Sequence, residues 1–168
     1  LSASFNGTGE HFVTLIEALQ QHGEQQHVVV RNVTLAKRLD AVDNVTVGPV
    51  ARSAVTACCL MPHCDLVHIH DPNGAQAGLL LALTRSIPYV LTHRDSAPGW
   101  SPLTRAIYQR AAHVICLDGS DAAILRHYDP GLHIAVVPDI SRPGSADGHL
   151  RGYQNSQSTP TAVNSGIQ

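Results

Sequence analysis

Two rhythms of apolar residues alternate along the chain. Between His11 and His22, Phe12, Leu15, Ile16 and Leu19 fall three and four positions apart, the spacing of one helix face. Gly23 follows where a helix C-terminus favours glycine. Before this helix, Leu1 to Phe5 reads as the end of a strand and Asn6-Gly7-Thr8-Gly9 as a turn. After it, His27-Val28-Val29-Val30 is a short β-branched run and Val45-Thr46-Val47 a weaker one, with a helical turn expected at Leu35 to Leu39 and a helix at Ala51 to Leu60. The centre is more sharply patterned. Asp65 to His70 reads as a strand that ends in the loop Asp71-Pro72-Asn73-Gly74, followed by a helix of small residues and leucines to about Arg85. Pro88 to His93 is the next strand. Ser101-Pro102 is an N-cap with proline at the first helical position, opening a helix to about Ala112. His113 to Leu117 is a strand, Ser120 is expected to cap a helix reaching Tyr128, and His133 to Val137 is a last strand.

Strands that alternate with helices predict an α/β domain with a mostly parallel sheet and helices on both faces. The strands are near-continuous apolar runs, as parallel strands covered on both sides should be. From about Arg142 the composition changes, and residues 143–168 are rich in Gly, Ser, Gln, Asn, Thr and Pro. The domain is therefore expected over residues 1–142, with a flexible polar tail over 143–168. Length adds one limit: 168 residues suit one domain and are short for two. Leu1 opens directly into strand-like sequence, so residues are expected upstream.

Composition excludes several classes. Hydrophobic residues make up 43% and charged residues 14%, the balance of a folded chain. A net charge of −2 gives no electrostatic footprint for nucleic acid. No apolar run reaches the roughly 18 residues of a membrane span. The four cysteines, Cys58, Cys59, Cys64 and Cys116, form no C-x-x-C pair and read as reduced thiols of a cytoplasmic protein. Asn6, Asn32 and Asn44 each open an N-x-T triplet, which matters only in a secreted protein.

In an open parallel sheet, ligands bind beyond the carboxyl ends of the strands. Four segments fall there: Asn6-Gly7-Thr8-Gly9-Glu10, His70-Asp71-Pro72-Asn73-Gly74, His93-Arg94-Asp95, and Asp118-Gly119-Ser120. The first offers backbone N–H groups at a helix start to an anion or a sugar hydroxyl; alone it reads equally as a tight turn, since it lacks the third glycine of the dinucleotide fingerprint. His68 and His70 share one strand face, near His63 and Cys64, but complete no zinc spacing, so no metal site is assigned. His93 with Arg94 and Asp95 supplies a titratable group and a cation, or else a salt-bridged loop. Its strand-end position predicts a side chain in the cleft, not in the core. Ser120 reads first as a plain N-cap. Trp100 with Arg105 and Arg110 marks either a solvated helix face or one turned to a membrane or partner.

In order along the chain, Asp65-Leu66-Val67-His68-Ile69-His70-Asp71-Pro72-Asn73, Ile87-Pro88-Tyr89-Val90-Leu91-Thr92-His93, Ala111 to Leu117 with Ser120, and Val136-Val137-Pro138-Asp139-Ile140 resemble motifs of glycosyltransferase family 4, the retaining GT-B enzymes. The turn Gly7-Thr8-Gly9-Glu10 is similar to that family's glycine loop. The resemblance spans roughly residues 1–142. It implies a Rossmann-like N-terminal half that binds a sugar or lipid-linked acceptor. The catalytic role falls on His93, and acceptor binding on Gly7, Thr8, Gly9, His70, Asp71, Asn73, Arg94, Asp95 and Ser120. It also implies a nucleotide-sugar donor held only by a second domain. That domain's Glu-x₇-Glu pattern is missing here, and the usual Asn-Gly of the linker is Asp139-Ile140. No cofactor is implied. The expectations are therefore an acceptor half without its donor domain, cytoplasmic or peripheral at the inner face of a membrane, and a homodimer through the uncovered edge. The alternatives are a non-catalytic Rossmann-like binding or scaffold module and, less favoured, a nucleotide-binding oxidoreductase domain.

Overall fold

The computed structural model describes residues 8–22, 24–94 and 99–137, with the side chains of 8–11, 72 and 73 left aside. The strand expected at Leu1 to Phe5, Gly7, the C-cap at Gly23, Asp95 and the tail over 143–168 lie outside the described residues.

Six helices and six strands alternate among them: α1 (Thr8–Gln20), β1 (Gln26–Val28), α2 (Val33–Leu39), β2 (Val45–Val47), α3 (Ala54–Leu60), β3 (Val67–Ile69), α4 (Pro72–Arg85), β4 (Tyr89–His93), α5 (Pro102–Arg110), β5 (His113–Cys116), α6 (Gly119–Tyr128) and β6 (Ile134–Val136). Every strand pair is parallel. β1 pairs with β2, and β3-β4-β5-β6 form a four-stranded sheet in sequence order. Helical crossovers are what parallel neighbours require.

Alternation along the strands sorts the core onto two faces. Val28 and Val30 pack with Phe12, Ile16, Leu35 and Leu39, so α1 and α2 cover one side. Val29 points the other way, into a larger cluster with Met61, Ile69, Leu81, Tyr89 and Leu125 beneath α3 to α6. The chain is thus an α/β, Rossmann-like domain with helices on both faces. α4 lies tightly on β3 and β4 because Gly78 has no side chain: a Cβ there would stand 2.1 Å from Ile69 Cδ1 and 3.1 Å from the Tyr89 ring.

Local chemistry explains the elements and corrects several expectations. Asp71-Pro72-Asn73-Gly74 is not a loop: α4 begins at Pro72, because Asp71 Oδ1 accepts from Gly74 N at 2.9 Å and proline suits the first helical position. Thr8 and Gly9 likewise belong to the first turn of α1, not to a turn before it. Asp118, not Ser120, caps α6; its Oδ1 accepts from Asp121 N at 2.9 Å and from Ser120 Oγ at 2.6 Å. A carboxylate is the stronger acceptor for the helix's orphan N–H groups. Ser101 caps α5 as its sequence signature requires. Two of the N-x-T asparagines have local roles. Asn32 caps α2 through Thr34 N at 2.8 Å, and Asn44 takes a left-handed φ of 59° before β2. No described helix is long and apolar enough to cross a membrane.

At the amino-terminal edge of the sheet, Val114 N donates to His133 O, so His113 and His133 face each other with ring centroids 5.8 Å apart. Burial, and then the neighbouring His133, hold His113 below the ordinary imidazole value of 6.5. Burial does the same for His27 on β1. A lowered histidine favours the neutral ring in the folded chain, while the unfolded chain takes up its proton near 6.5. Their stabilising contribution is therefore full above that value and is lost as pH falls below it. Melting measured from pH 7 to pH 5 is expected to drop by a few degrees, with a shallower slope in His113→Asn. Equal slopes would mean that His113 does not contribute to the pH dependence.

Candidate functional site

The carboxyl ends of β3, β4 and β5 lie side by side because the strands pair in order and in parallel. His70 and Asp71 follow β3, His93 ends β4 with Arg94 after it, and Asp118 to Ser120 follow β5. The first turn of α1, with Thr8 and Gly9, joins the same region. One turn further on, the Phe12 ring meets His70 edge-on at 4.8 Å. Of the residues singled out in the sequence, these come together at one edge. Asn73 enters only as backbone in the first turn of α4, and Gly7 and Asp95 lie outside the described residues.

Two buried polar clusters occupy this edge, one on each face of the sheet. On the face of α1, His68 Nε2 and Thr92 Oγ1 are 2.7 Å apart, and the His68 and His70 rings stack with centroids 3.8 Å apart. A cavity of about 470 Å³ between α1, β1 and β3 reaches His68 and His70 at one end, while most of its wall, with Leu19, Gln26, Pro62, Cys64 and Asp65, lies toward the amino-terminal ends of β1 and β3. Its size is that of a small-ligand pocket. On the other face, His93 Nδ1 lies 2.7 Å from the Tyr108 hydroxyl, with the two rings edge-to-face.

His93 corrects an expectation. It is 4% exposed, buried beneath α5 rather than standing in an open cleft. Tyr89, Leu91 and His93 alternate onto the face that α4 and α5 cover, so β4's last side chain is captured by Tyr108. Asp118 is linked to the same place. The hydrogen bond from Ser120, then that from Asp121 N, hold its carboxyl below the ordinary aspartate value, and the charge of His93 adds to this.

Sequence reasoning missed Tyr108 and Thr92, the partners of the two histidines. Tyr108 had a faint signal: it follows Ile107 on the buried face of α5, where a polar tip needs a partner. Trp100 is neither on a helix nor fully solvated; it is half-buried between Tyr108 at 5.5 Å and Tyr128 at 5.2 Å. Arg105 approaches Asp129 at 3.9 Å instead of presenting a free charge. Among the described residues no group of three or more His, Cys, Asp or Glu is placed to hold a metal. Cys116 is fully buried and its thiol is pushed up to about 12 by that burial, which makes it a packing residue.

In comparison with known proteins, no family model and no curated protein matches this chain.

Proposed function

We propose that this chain is the acceptor-binding half of a retaining glycosyltransferase of GT-B architecture, with a nucleotide-sugar donor bound by a domain outside these residues. The observation that carries the reading is that His70 and His93 stand at the carboxyl ends of adjacent parallel strands, on opposite faces of the sheet, with His70 against Phe12 of α1. The ordered motifs from Asp65 to Ile140 add a resemblance of sequence. In this reading the acceptor enters at the strand ends, and His93, fixed by Tyr108, holds an acceptor hydroxyl in line with the donor's anomeric carbon. Fixing that hydroxyl is the domain's contribution to rate, because orientation replaces an entropic cost of reaction.

A second reading has its own support. Asp71 and Asp118 serve as helix caps and His93 is buried, which suits a non-catalytic Rossmann-like module. Calorimetry on the isolated chain with UDP and GDP separates both from a nucleotide-binding domain. The acceptor half is expected to bind either nucleotide only weakly, at millimolar concentration. Micromolar binding would overturn the acceptor assignment.

A further inference from the structure

A second cavity, of about 230 Å³, lies at the carboxyl ends of β1 and β2. Its wall holds two arginines, Arg31 and Arg52, with Ser53, Gly74 and Gln76, and among the described residues no acidic side chain. The backbone brings the arginines together. Gly48 N donates to Val28 O and Ala51 N to Val30 O, so the two strands stay paired past their ends, and Arg31 and Arg52 each follow the last bonded residue. Both are exposed, and neither forms an ion pair among the described residues, whereas Arg105 does approach an aspartate. In a chain of net charge −2, two unpaired guanidinium groups on one concave, acid-free wall are a local excess of positive charge. Asp71 caps α4 close by, but its carboxylate is buried and taken up by Gly74 N, and it is not part of this wall.

We infer that Arg31 and Arg52 bind a phosphate monoester carried by the acceptor. Two guanidinium groups on the wall of one cavity suit a phosphoryl group. It offers three outward oxygens, where a carboxylate's two oxygens are satisfied by a single fork. The site lies on the strand-end edge that holds His70, so the inference rests on the acceptor-half reading and narrows it to a phosphorylated acceptor. That acceptor is either a soluble sugar phosphate or a phospholipid headgroup.

The test uses the whole 168-residue chain. Hexose 6-phosphate is titrated by calorimetry, and vesicles containing phosphatidic acid are used in a sedimentation assay. A neutral hexose and neutral phosphatidylcholine vesicles serve as controls. One of the two phosphate probes is expected to bind, and which one identifies the source. Arg31→Gln and Arg52→Gln are each expected to weaken that binding roughly tenfold, and the double variant to abolish it, since each charge-assisted contact is worth about a factor of ten or more. Lys37→Gln, the same charge change on an exposed residue of α2, is expected to leave it intact. Melting should be unchanged in all three arginine variants, because both side chains are exposed. Binding of neither phosphate probe, or binding that the double variant retains, would overturn the inference. Binding is read without any donor domain. Failure here therefore leaves the transfer reading standing, and failure of transfer leaves this binding measurable.

Discussion

Tyr89→Ala is expected to destabilise the domain by about 3–5 kcal/mol, against a typical total of about 5–15 kcal/mol. Tyr89 is completely buried at the start of β4. Its ring fills the space that Gly78 leaves on α4, and its hydroxyl donates to the Ile107 carbonyl near the end of α5. One side chain thus ties α4, α5 and the central sheet together. Burial raises its phenol above the ordinary tyrosine value, so the ring stays neutral throughout the working range. Truncation opens a cavity and removes one of the two donors to the Ile107 carbonyl, which still accepts from Ala111 N. Tyr89→Phe keeps the ring and is expected to cost only about 1 kcal/mol. Urea unfolding of the two variants separates packing from hydrogen bonding. Equal losses would mean that the hydroxyl, not the ring, holds the helices.

The largest effect on activity is expected at His93. In a protein completed by a donor-binding domain, His93→Ala should lower turnover about a hundredfold, since a polar contact made only in the transition state is worth on the order of 3 kcal/mol. The fold should weaken too, by about 1 kcal/mol, because the hydrogen bond to the Tyr108 hydroxyl is lost. Tyr108→Phe probes the other side of the same bond. It leaves the imidazole in place but releases its orientation, so turnover is expected to fall roughly tenfold, with a stability loss similar to that of His93→Ala. A purely structural histidine would show the stability losses alone.

The fold was legible because parallel strands and their crossover helices leave strong signatures. Val67-His68-Ile69, Tyr89 to His93 and His113 to Cys116 stand out as short apolar runs, and Ser101-Pro102 announces its helix. Errors gathered at element ends, where one side chain decides the outcome. Asp71-Pro72 reads as a turn unless the aspartate is recognised as a cap for the proline-led helix, and Asp118 outcompetes Ser120 two positions later. The site was legible only as a list of strand ends. Which face a strand's last residue takes depends on register with its neighbours, so the capture of His93 by Tyr108, fifteen positions on, had no local signal. The pairing of His68 with Thr92 was hidden for the same reason: it crosses from β3 to β4. Backbone pairing between β1 and β2 brings Arg31 and Arg52 to one cavity wall, which no spacing in the sequence encodes.

Under the proposed function, the strand-end edge of this domain holds an acceptor for sugar transfer. Its most direct test joins the chain to a donor-binding domain of a retaining GT-B enzyme and measures turnover per folded molecule for the wild type and His93→Ala, with the folded fraction taken from melting curves. Transfer with retained anomeric configuration is expected in the wild type, with a loss of about a hundredfold in the variant. Turnover per folded molecule that is the same in both proteins, with only the melting point lowered, would contradict it.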